Sequence, residues 1–130
     1  MLSAKSLGVE KQIPLNPDMT YTKPTISTSG KKFSEVSNGF VVYNKYEAIF
    51  SGYLKMKDGV VNADETLLTL PFKPKYPNAY INGRVSGNPM TIYVDQYGNL
   101  KKQAPQTFED GDLVFIVGSF SISNGGGGNS

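Results

Sequence analysis

A chain of 130 residues is one domain's worth, and its 14 glycines and 8 prolines suit many turns rather than long helices. With no cysteine, disulfides and thiolate metal sites are excluded; with no histidine, the usual base of a nucleophilic triad is missing. Twelve lysines and the single arginine, Arg84, stand against 11 acids for a formal charge of +2, a spread balance that argues against nucleic-acid recognition by clustered arginine forks.

Residues 1–32 read as an extended arm or linker. Pro14, Pro17 and Pro24 remove backbone donors from a stretch rich in threonine and serine. Ile13, Leu15, Met19, Tyr21 and Ile26 are expected to lie against a neighbouring subunit. The first eight residues lack signal-peptide shape, and no apolar run approaches the ~18 residues of a membrane span. The expected product is therefore soluble and made in a host cytoplasm, with no membrane insertion.

The compact part is expected over 33–123. Phe33 to Val36 offers at most one helical turn, and Ala63-Asp64-Glu65 another. Asn38-Gly39 is a turn signal, followed by a short strand from Phe40 to Tyr43. Tyr46 to Met56 is the longest strand candidate, with Phe50, Leu54 and Met56 on one face and Ser51, Tyr53 and Lys55 on the other. Gly52 marks a thin spot or bulge in it. Asp58-Gly59 predicts a hairpin into Val60-Val61.

Thr66 to Leu70 reads as a strand stopped by Pro71, and Pro71, Pro74 and Pro77 pace the loop after it. Ala79 to Val85 resumes strand character, with an interruption expected at Asn82-Gly83. Thr91 to Val94 and Asn99 to Lys101 form a hairpin about Tyr97-Gly98. From Leu113 to Ile122, Val114, Ile116, Gly118, Phe120 and Ile122 share one face, and Leu113, Phe115 and Val117 the other. Apolar groups on both faces make this strand central, or place one face under a second subunit. Residues 124–130 are a flexible glycine-rich tail. The whole predicts an all-β fold, an antiparallel β-sandwich of jelly-roll-like or Greek-key order.

The acids are the first candidates for chemistry. Asp64-Glu65 and Glu109-Asp110 with Asp112 are the close carboxylates, but nothing places a pair across a cleft, and aspartate before glycine is ordinary turn usage. Glu109 to Asp112 lacks the alternate spacing of a calcium loop, so no metal, cofactor or catalytic residue is expected. Tyrosine is the better clue, because its ring has an apolar face and a polar tip. Tyr76 and Tyr80, with Asn78, Asn82 and Arg84, form the expected ligand-binding patch. Leu113, Phe115 and Val117 form the expected oligomer interface.

The layout also carries a resemblance. Gly52-Tyr53-Leu54-Lys55-Met56-Lys57-Asp58-Gly59 is followed by Leu67-Leu68-Thr69-Leu70-Pro71 and a loop with Pro74 and Pro77. Ile92-Tyr93-Val94-Asp95, Gly98-Asn99-Leu100 and a closing strand after Asp110-Gly111-Asp112 complete it. In this the chain resembles the head or tip domains of tail, baseplate and fibre proteins of phages infecting Gram-positive bacteria. The resemblance implies a homotrimeric virion protein for host attachment, binding a cell-surface glycan or protein receptor and contacting other virion proteins. A capsid decoration or baseplate scaffold protein without receptor recognition is the alternative. A bacterial carbohydrate-binding module is the second.

Overall fold

The computed structural model describes residues 20–123, and among them ten strands and no helix occur. They are β1 (Phe33–Val36), β2 (Val41–Tyr43), β3 (Glu47–Met56), β4 (Gly59–Val61), β5 (Thr66–Thr69), β6 (Ala79–Val85), β7 (Asn88–Val94), β8 (Asn99–Lys102), β9 (Gln106–Phe108) and β10 (Leu113–Ser121). Every pairing is antiparallel. The main sheet runs β1-β3-β10-β6-β7-β8-β5, with β2 sharing the outer edge of β3, and β4 pairs with β9 in a separate ribbon. The result is an all-antiparallel, half-barrel-like structure in keeping with a β-sandwich in general.

Side-chain alternation decides what goes inside. In β6, Ala79, Ile81, Gly83 and Val85 are buried while Tyr80, Asn82 and Arg84 are exposed. Phe50, Leu54 and Met56 of β3 meet Leu68, Ile92, Val94, Leu100, Val114 and Ile116 in one core cluster. A relay of rings runs through it: Phe40 on Phe50 at 5.7 Å, Phe50 on Phe120 at 5.8 Å, Phe120 on Phe72 at 6.0 Å and Phe72 on Tyr43 at 4.8 Å. Such edge and tilted contacts add to the stabilisation from area burial.

Gly52 is the thin spot of β3. The turn between β1 and β2 crosses directly over it: Tyr53 N–H donates to Ser37 Oγ at 2.8 Å, and Ser51 N–H donates to the Phe40 carbonyl at 3.0 Å. A Cβ at Gly52 would stand 2.7 Å from the Phe40 Cα. Only glycine lets the two backbones approach this closely.

Three local readings change. Phe33 to Val36 is a strand, because its backbone pairs with Leu54 to Met56 of β3 around a bulge. The Asp58-Gly59 hairpin does not form. Met56 is already bonded on one side to Asp112 and Gly111 and paired on the other with Phe33, so Val60 and Val61 find their partners in β9 instead. The strand also runs unbroken through Asn82-Gly83, with Gly83 covered by Ile92 and Met90. The actual reversal comes at Ser86-Gly87, both at positive φ (50° and 78°), between the paired residues Val85 and Asn88.

The described part of the arm packs on its own chain. Thr22 exchanges two backbone bonds with Tyr43, Tyr21 Oη donates to Glu47, and Ile26 packs against the core. Tyr21 and Ile26 are thus accounted for within the subunit, because the outer edge of β2 was open to receive them. Ile13, Leu15 and Met19, like the 124–130 tail, lie outside the described residues.

Candidate functional site

The central strand β10 lies between β3 and β6 along the sheet. Register therefore sets Phe115 opposite Tyr53 on one side and Arg84 on the other, and Val117 opposite Ser51 and Asn82. Part of each patch read from the sequence falls on one surface. Asn82, Arg84, Pro89, Phe115 and Val117 line a single shallow depression of ≈ 340 Å³ on the outer face of the sheet.

On that face Phe115 is 44% and Val117 55% exposed, and Leu113 is half-buried beside them. The Phe115 ring meets the Tyr53 ring edge-on at 5.8 Å. Tyr53 Oη in turn donates to Glu35 Oε2 of β1 at 3.0 Å, which raises the ionisation of that phenol above its ordinary range. Glu35 Oε1 stands 4.0 Å from Lys55 Nζ. Arg84, exposed on β6, makes no hydrogen bond or ion pair from its guanidinium among the described residues. Tyr53 and Glu35 belong to this surface and were not grouped with it from the sequence. The signal was Tyr53's place on the polar face of the long strand, two residues from Ser51 and Lys55.

Tyr80 lies four residues before Arg84 on the same face, 55% exposed, its ring 5.3 Å from that of Tyr93. With Asn82, Pro89, Met90 and Thr91 it lines a second depression of ≈ 420 Å³. Tyr76 and Asn78 sit in the loop before β6, outside the ladder, Tyr76 being 72% exposed with Lys75 Nζ 5.6 Å from its ring centre. The expected ligand patch thus divides: Tyr80, Asn82 and Arg84 share the sheet face, and Tyr76 and Asn78 precede it.

Beside Tyr80 the polar groups are tied down. Tyr93, buried, donates to Asp64 Oδ1 at 2.6 Å, and burial followed by that bond pushes its phenol up to about 12. Burial pulls the Asp95 carboxyl upward, but the Asn99 N–H, the Lys101 ammonium at 3.0 Å and the Tyr97 N–H outweigh it and hold the group below its usual range. Lys102 was not singled out from the sequence. It is 4% exposed, shares the inner face with Leu100, donates to the Ala104 carbonyl, and is pulled below the ordinary lysine range by burial.

Two of the acids weighed for catalysis, Glu65 and Asp112, hold turns together. Glu65 accepts the Asn62 N–H and pairs with Lys32 at 3.1 Å; Asp112 accepts the Glu109 N–H at 2.8 Å. Among the described residues no three His, Cys, Asp or Glu side chains are grouped to hold a metal ion.

A scan against protein-family models finds no match to this chain, and a search of curated proteins finds none either. That finding corrects what the resemblance implied: no matched family or protein supports a phage, viral or virion protein, a tail, baseplate or fibre part, or a role in host attachment or receptor binding. The segments that suggested them serve this chain's own ladders and turns: Gly98 closes the β7–β8 turn by donating to the Asp95 carbonyl, and Gly111 bonds Met56.

Proposed function

We propose that the chain is a non-catalytic structural module that assembles with copies of itself through the outer face of its sheet. One observation carries this reading: the central strand turns Phe115 and Val117 toward water with the Tyr53 ring beside them. The water-facing side of an antiparallel sheet is ordinarily polar, and a contiguous apolar patch rimmed by polar groups marks an association surface. The rim here is Glu35, Lys55, Asn82 and Arg84. Greek-key order within the sandwich is part of the same reading. It is supported by β6, β7 and β8 following one another across the sheet while β10 returns to lie beside β6.

Sedimentation velocity of the full chain at micromolar concentration tests the proposal. Wild type is expected to sediment as a multiple of the 14.1 kDa chain, and the Phe115→Ser/Val117→Ser double variant as the single chain with an unchanged β-sheet spectrum. A wild-type monomer up to ~100 μM would overturn it, since association weaker than that is worth under ~6 kcal/mol.

A second reading, saccharide binding, is favoured by Tyr80. Its exposed ring beside Tyr93 and the amide of Asn82 offer the stacking surface and polar contact that a sugar ring takes. Glycan-array binding by wild type, lost in Tyr80→Ala, is the expected outcome. Equal signals from both proteins would dismiss it.

A further inference from the structure

Across the outer face, in strand order β1, β3, β10, β6, one run of side chains reads Glu35, Tyr53, Phe115, Arg84: the last three share a register row, and Glu35, whose own register partner is Lys55, joins Tyr53 on the diagonal through their 3.0 Å bond. It is an acid, two rings and a base. Turned end for end and laid upon itself, the run sets base on acid, ring on ring, ring on ring and acid on base. We propose that this face docks on the same face of a second copy through a two-fold axis passing between β3 and β10, so that Glu35 of each copy meets the partner's Arg84. The inference rests on the self-association reading and specifies its geometry: two copies rather than the three implied by the resemblance.

The dimensions agree. Adjacent strands lie about 4.8 Å apart, so Glu35 and Arg84 are separated by three strand steps, roughly 14 Å, across the sheet and by two residues, roughly 7 Å, along it, with the axis midway and inclined to the strands. Stacked sheets pack about 10 Å apart, a gap that an extended arginine and a glutamate bridge between them. Leu113 and Val117, two residues to either side of Phe115 on β10, widen the apolar contact along the strand. Among the described residues the chain's one arginine makes no hydrogen bond or ion pair, and Glu35 Oε1 has only the 4.0 Å contact with Lys55. Both charges are therefore available to a neighbour. A small anion from solution would satisfy Arg84 but leave Tyr53 and Phe115 wet, whereas a second copy covers all four positions. Self-complementary contact of this kind is what a two-fold interface requires, and arginine with aromatic rings is the composition enriched at interface centres.

Charge exchange is the test, read by sedimentation equilibrium. Arg84→Glu and Glu35→Arg are each expected to weaken the dimer by ~100-fold or more, because each sets like charges against one another. The double exchange is expected to restore association to within about tenfold of wild type. The absence of cysteine from the chain permits a second measurement that does not depend on affinity. Mixed Glu35→Cys and Arg84→Cys chains should be joined by a bis-maleimide that spans about 10 Å, and Glu35→Cys alone should not. Wild-type monomer would overturn both this geometry and the self-association reading. A three-chain particle, or a dimer indifferent to the single exchanges, would overturn the geometry and leave that reading standing.

Discussion

Gly52→Val is expected to cost more than ~3 kcal/mol, beyond the usual range for an overpacked core and a large share of a typical domain's 5–15 kcal/mol. The reason is what the new atoms would meet. A Cβ at residue 52 would lie 2.3 Å from Ser37 Oγ and 2.7 Å from the Phe40 Cα. The serine cannot rotate away without releasing the Tyr53 N–H that it accepts, and Phe40 cannot move without lifting a ring that is 2% exposed and packed on Phe50. Urea unfolding against Ser51→Ala measures the effect. That neighbour is exposed, and its substitution is expected to change stability by ~0.5 kcal/mol or less. A Gly52→Val protein with a wild-type midpoint would refute the close crossing.

Between pH 10 and 12 the second large effect is expected, from Tyr93. In the unfolded chain its phenol ionises near 10; in the folded chain, burial and then the Asp64 carboxylate push it up to about 12. Over that window the unfolded state has shed a proton that the folded state keeps, so stability falls as pH rises. The contribution is whole below pH 10 and is lost by about pH 12, a decline on the order of 2 kcal/mol. Tyr93→Phe is expected to start less stable, having lost the bond to Asp64, and to show a shallower alkaline decline. Lys102 works in the opposite sense: burial disfavours its charged form, so the folded state gains as pH rises toward the ordinary lysine value. Chemical denaturation at pH 8, 10 and 11.5 separates the two. Parallel curves for wild type and Tyr93→Phe would show that Tyr93 does not govern the window.

Strands long enough to show alternation were legible in the sequence. β3 and β10, of ten and nine residues, each present a period of two, and their inner faces are the ones expected. Two of the short elements were not. Phe33 to Val36 is four residues and β9 three, too few to distinguish a strand from a turn without knowing the partner. Asn82-Gly83 misled for a related reason: the dipeptide permits a tight turn, but pairing with both β7 and β10 holds it extended.

The site was legible in pieces. Tyr80, Asn82 and Arg84 were grouped by proximity in the chain, and Phe115 and Val117 by their shared side of one strand. That these form one surface depends on β10 inserting between β3 and β6, a pairing of residues about thirty and sixty positions apart. Local pattern carries no information about which strand becomes the neighbour. Glu35 was lost for the same reason, since its strand was not recognised and its bond to Tyr53 spans 18 positions.

The bridge between Thr22 and Tyr43 has a consequence for how copies can add. An uncovered margin of ladder donors and acceptors invites open-ended growth, each chain templating the next into a fibril. Here the chain's own leading segment occupies that margin with two bonds, at 2.7 and 2.9 Å. Growth by ribbon extension is blocked along β2, so a copy that adds there must do so through another surface.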